Sequence, residues 1–148
     1  MSSVIDRDRR RSPAELSRAR QDAGRMRAQW LLGLADGKAT LYELLIAATR
    51  DGGHPLRALR LHMAIEHLPE ISRSRTDAII AELRYATGVP DEVPNRELNV
   101  AWLLDARQPA GRRLTALATA LLRQTEGLEV VTVGGFPYGP LGGTEEVL

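Results

Sequence analysis

The chain has 148 residues, 43% of them apolar but only 4% aromatic, which suits one compact domain with loose ends. It has no cysteine, excluding disulfides and thiolate metal sites, and no apolar run of the roughly 18 residues that a membrane span needs. The formal net charge of +1 hides an asymmetry: Glu126, Glu129, Glu145 and Glu146 follow Thr125 with no Lys or Arg among them, so the remainder sets 20 basic against 15 (19 − 4) acidic residues.

Residues 1–11 carry Arg7, Arg9, Arg10 and Arg11 with no apolar stretch behind them. They read as a disordered basic terminus and not as a secretory signal. A cytoplasmic location is the simplest expectation. Residues 12–125 read as one all-α domain, with a long N-terminal helix on a compact multi-helix body. Residues 126–148 read as an acidic, Gly/Pro-rich tail, loosely packed or disordered. Its LEVVTV run alternates like a strand but has no obvious partner in a helical protein.

Ser12, Pro13 and Glu15 form a helix start, in which a serine caps the first turn and a glutamate returns a bond to the cap. The helix is expected to run to Asp36, with Gly37 ending it. Leu16, Ala19, Ala23, Met26, Trp30 and Leu34 make one stripe, weak in its first half. That half is expected to project, while the end from Met26 to Leu34 packs. Thr40 and Glu43 repeat the capping pattern, with Leu41, Leu44, Leu45 and Ala48 inward and Asp51-Gly52-Gly53 as the stop. His54-Pro55 opens a third predicted helix carrying Leu56, Leu59, Met63, Ile65 and Leu68, ended by Pro69. Ser72 caps a fourth, with Ala78, Ile79 and Leu83 inward and Gly88 as its stop. A fifth is expected from Asn95 to Arg107, carrying Leu98, Trp102 and Leu103. A sixth is expected from Pro109, with Leu114, Leu117, Leu121 and Leu122 inward.

Enzyme motifs are missing: there is no phosphate loop, no G-x-S-x-G and no H-E-x-x-H. His62 and Glu66 share a helix face, but two ligands are too few for a metal, and a solvated ion pair is the expectation. No catalytic residues, metal or cofactor are expected. Lys38 is the only lysine. Arginine's planar donor fork suits phosphate, although a GC-rich genome gives the same bias.

The informative segment is Leu68-Pro69-Glu70-Ile71-Ser72-Arg73-Ser74-Arg75. First-turn amides of a helix lack partners within it and carry partial positive charge, so the start of the fourth helix offers donors to an anion. Arg73 and Arg75 add cations there, and Ser72 and Ser74 add hydroxyls. An ordinary capped helix with solvated arginines accounts for the same residues.

The run ATLYELLIAA followed by LRALRLHMAIEHLPEISRSRTDAIIAEL resembles the integration host factor of actinobacteria, the mycobacterial and streptomycete type. Ala39, Thr40, Leu41, Glu43 and Leu44 match its first block. Ile65-Glu66-His67-Leu68-Pro69, the plug Ile71 and the basic Arg73 match its turn, and Ala78, Ile79, Ile80, Glu82 and Leu83 follow the next helix. The similarity covers roughly Arg18 to Tyr85. Where the family has two glycines, this chain has Glu70 and Ser72.

The resemblance implies a helix-two-turns-helix element and a protein that grips duplex DNA by its phosphates, can bend it, and assists chromosome organisation and phage integration. Ser72, Arg73, Ser74 and Arg75 would form the grip, with Arg112, Arg113 and Arg96 as further basic contacts. Arg18, Arg20, Arg25 and Arg27 on the first helix would be secondary. Around five neutralised phosphates would give a salt slope of roughly −4 to −5. The alternatives are a protein-interaction module, using the first helix or the acidic tail, and a binder of structured RNA.

Overall fold

The computed structural model describes residues 12–69, 71–108 and 111–125. Seven α-helices make up these residues: α1 (Pro13–Ala35), α2 (Leu41–Thr49), α3 (His54–Arg57), α4 (Leu61–Glu66), α5 (Arg73–Thr87), α6 (Val100–Leu103) and α7 (Arg112–Gln124). A 3₁₀ turn spans Asn95–Glu97, and no strand occurs among the described residues. The acidic tail, including LEVVTV, and the basic N-terminus lie outside them.

Both capping boxes form. Ser12 Oγ accepts from the Glu15 amide at 3.2 Å, and Thr40 Oγ1 accepts from the Glu43 amide at 3.1 Å. In each case the glutamate carboxylate takes the cap amide in return. α1 ends before Gly37, whose φ of 72° is one a side chain with a Cβ rarely adopts. Ser12 and residues 13–22 of α1 are exposed throughout, and Met26, Trp30 and the fully buried Leu34 join the core. The weak half of the stripe therefore projects and the strong half packs. α2 buries Leu41, Leu44, Leu45 and Ala48. The chain leaves it so tightly that a Cβ on Gly53 would lie 1.9 Å from the Ala47 carbonyl oxygen.

Three expectations need correction. The third predicted helix breaks at Ala58–Arg60 into α3 and α4. At the break Arg60 makes an antiparallel bridge to Asn99. The Leu61 amide donates to the Leu98 carbonyl at 3.0 Å, and the Val100 amide to the Leu59 carbonyl at 2.9 Å. The break resets the helical phase, so α4 buries Leu61, Ala64 and Ile65 and leaves Met63 38% exposed.

The same clasp divides the predicted helix from Asn95 to Arg107. Leu98 and Val100 spend their backbone groups on the chain opposite. Asn99 then restarts the helix by accepting from the Trp102 amide at 2.8 Å, giving only the four-residue α6. Leu98 and Leu103 are buried all the same. The sixth predicted helix begins at Arg112, after Gly111 with φ 68°; Pro109 and Ala110 lie outside the described residues. Leu117 and Leu121 face inward, with Ala118 and Ala120 beside them, whereas Leu122 is 37% exposed.

α5 packs most extensively on α7, α4 packs on α5, and α1 and α2 both pack on α3. One core of Leu and Ile side chains runs through all of them.

Candidate nucleic-acid interface

The α4–α5 turn is held from beneath. Ile71, 7% exposed, plugs the core, and Thr76 is fully buried with its hydroxyl donating to the Ser72 carbonyl at 3.0 Å. Ser72 has extended backbone and caps α5, accepting from the Arg75 amide at 3.2 Å; its Oγ also lies 3.2 Å from Ser74 Oγ. Among hydrogen bonds between described residues, the amides of Arg73 and Ser74 have no acceptor. Ser72, Arg73 and Ser74 are exposed, and the first turn of α5 holds no acidic residue. Glu70 lies outside the described residues.

The structure separates the other predicted contacts. Arg75 is half-buried and donates to the carbonyl of Gln124 at 2.8 Å, capping the C-terminal end of α7. Arg113 donates to the Trp102 carbonyl at 2.7 Å, stacks on the Trp102 ring at 4.3 Å and lies 4.0 Å from Asp105. Arg112 and Arg96 are exposed. Arg112 precedes Gln124 by twelve residues of α7, on the order of 18 Å along the axis. Arg96 follows Asn95, whose side chain accepts from Arg84, eleven residues into α5 from Arg73 and about 16 Å along it. The exposed arginines therefore occupy separate stations and do not form one pocket.

Sequence reasoning missed a common use of arginine here. Arg27 donates to Pro55, Arg57 to Ala48, Arg75 to Gln124, Arg84 to Pro90 and Val93, and Arg113 to Trp102, each time at a backbone carbonyl. These carbonyls lie in turns or in the last turns of helices, and the guanidinium fork reaches them. On α1, Arg25 pairs with Asp22 at 3.8 Å, and Arg18 and Arg20 are exposed.

His62 does pair with Glu66, at 3.5 Å, but its closer partner is Asp77 on α5 at 2.8 Å, which spacing along one helix does not reveal. Beside α6, the Arg107 side chain, hydrogen-bonded to Asp105 together with its backbone amide, holds the Asp105 carboxyl down at about 2. Among the described residues no group of three or more His, Cys, Asp or Glu side chains is placed to hold a metal. No helix there is long and apolar enough to cross a membrane.

An open groove of about 590 Å³ lies where α1, α2 and α3 meet, lined by Met26, Trp30, Tyr42, Ile46, Ala47 and Leu56. Compared with protein-family models, curated proteins and solved structures, the chain matches none.

Proposed function

We propose that this protein binds duplex DNA through backbone phosphates, with little sequence specificity, in the manner of the actinobacterial integration host factors that it resembles. In this reading α4, the turn and α5 are its helix-two-turns-helix element, and the role is architectural, including bending and assistance to phage integration. The observation that carries the reading is the start of α5. Exposed Arg73 and the hydroxyls of Ser72 and Ser74 surround two amides with no acceptor among the described residues, on a turn fixed by Ile71 and Thr76. Contacts of this kind position a protein on DNA without reading bases.

The engagement of Arg75 and Arg113 within the fold lowers the number of phosphates expected. Arg73, Arg96 and Arg112 remain exposed, so log affinity against log salt is expected to fall with a slope of about −3. Stations about 18 Å apart would touch phosphates separated by about five base pairs along one duplex.

The test is a fluorescence-anisotropy titration of an unrelated 30-base-pair duplex at several salt concentrations, with Arg73→Ala alongside. Salt-sensitive binding, weakened several-fold and made shallower by about one unit of slope in the variant, supports the reading. No binding at low salt overturns it.

The groove beside Met26, Trp30 and Tyr42, with the exposed first half of α1 leading into it, favours a second reading as a protein-interaction module. Pull-downs that depend on Trp30 while DNA binding is absent would select it.

A further inference from the structure

The fold covers α1 over only part of its length. Residues 13–22 are each exposed, Leu16 at 42% among them, whereas Met26 and Trp30 are half-buried and Leu34 is fully buried. These apolar residues belong to one stripe, with Ala19 and Ala23 between them, because steps of three and four keep side chains on one helix face. A stretch of helix without packing gains little from propensity, since most helical stability in proteins comes from burying such a face. Where the stripe enters the body it meets the open groove of about 590 Å³, whose lining includes Met26, Trp30, Tyr42, Ile46, Ala47 and Leu56.

We propose that this groove is filled by the first half of α1 from a second copy of the chain, the two copies exchanging helices about a two-fold axis. Three observations commit the groove to that occupant. Each molecule carries both sides of the contact, an uncovered apolar stripe and an apolar groove at its foot, so one isologous contact closes both on both copies. Leu16 cannot fill the groove of its own chain, because a continuous helix holds it about 15 Å from Met26. The charges also match. Glu43, Arg50 and Asp51 on the groove give a net −1, while residues 13–25 set Arg18, Arg20 and Arg25 against Glu15 and Asp22, a net +1.

With the two α1 helices antiparallel and Leu16 facing Trp30 of the other copy, Ala23 falls on the axis, and its small side chain lets the helices approach closely. Standard interfaces take about 20–30 residues a side; this one draws on fewer, so the dimer is weak, with a Kd of about 1–100 µM. The contact rests on the reading of this groove as a protein-interaction site and is independent of DNA binding.

The test is sedimentation velocity of the full chain from about 1 to 500 µM, a range that brackets such a Kd. The expected result is a concentration-dependent rise from the monomer mass of 16.3 kDa toward twice that value. Leu16→Glu changes an exposed position, so the fold should persist, and association should weaken by about ten-fold or more because a carboxylate enters the apolar groove. Leu32→Glu is the control. Leu32 is 63% exposed but lies about 200° round the helix from Trp30, so association should stay within about two-fold. A chain that is monomeric throughout the range overturns the proposal and leaves the groove to a different protein, which the Trp30-dependent pull-downs read. Association that survives Leu16→Glu, or that Leu32→Glu abolishes, also overturns it, because the copies then meet through another surface.

The absence of cysteine permits a second measurement. Leu16→Cys protein mixed with Ala47→Cys protein is expected to cross-link with a short bis-maleimide about five-fold faster than either protein alone, since the contact raises the local concentration of that pair. Cross-linking no faster in the mixture overturns the exchange of helices.

Discussion

Arg73 and Arg113 stand in the first turns of two helices that pack on each other, and their circumstances are opposite. Arg73 is exposed and touches no hydrogen-bond partner among the described residues. Arg113 is 17% exposed at its side chain, with a carbonyl at its tip, an indole beneath it and a carboxylate 4.0 Å away. Position near a helix start does not separate them. What separates them is whether another part of the chain presents a backbone carbonyl within reach of the guanidinium. A cation saturated by its own fold contributes stability, whereas an open one is available to a ligand.

The contrast is most strongly tested by Arg113→Ala. It removes a charged donor from the Trp102 carbonyl and a cation 4.0 Å from Asp105 and uncovers the indole, and is expected to cost about 2–3 kcal/mol in urea unfolding. DNA affinity per folded molecule should not change. A loss of affinity with stability intact would place Arg113 with Arg73. Next is Arg75→Ala, expected to cost about 1–2 kcal/mol by removing the cap on α7. Unchanged thermal stability would mean that this arginine is free for phosphate after all.

Ser72→Ala removes the N-cap of α5 and should cost about 1 kcal/mol. Because Ser72 also borders the anion-binding turn, binding should weaken with it. Arg73→Ala should leave stability within about 0.5 kcal/mol while affecting binding, the reverse of Arg113.

The smallest effect concerns Asp105. Its carboxyl is lowered from 3.8 to about 2, so the stability from its bonds to Arg107 is whole above 3.8 and is lost as pH falls through about 2. In acid titrations between these values the protein should lose slightly more stability than Asp105→Asn.

Local chemistry was legible in the sequence. Ser12 with Glu15, Thr40 with Glu43, Ser72, and the stops at Gly37 and Gly88 each act within one turn of chain, and each occurs where residue type and spacing place it. The clasp between Arg60 and Asn99 was not legible, because nothing local in His54–Leu68 or Asn95–Arg107 forbids a continuous helix. Only pairing across the fold ends both. The basic residues of the candidate interface were all visible as arginines. Which of them remain exposed depended on Gln124 for Arg75 and Trp102 for Arg113, partners 49 and 11 residues away.

The clasp also bears on how the molecule assembles. Its two backbone hydrogen bonds close a loop of about 40 residues that contains all of α4 and α5, at an entropic cost of about 3 kcal/mol for a flexible chain. Two such bonds barely offset that cost, so closure waits on the packing of α5 against α7 and of α3 against α6. The amides of Leu61 and Val100 are therefore expected to exchange with solvent as a pair, their protection marking the moment when the segments around Arg60 and Asn99 become one body.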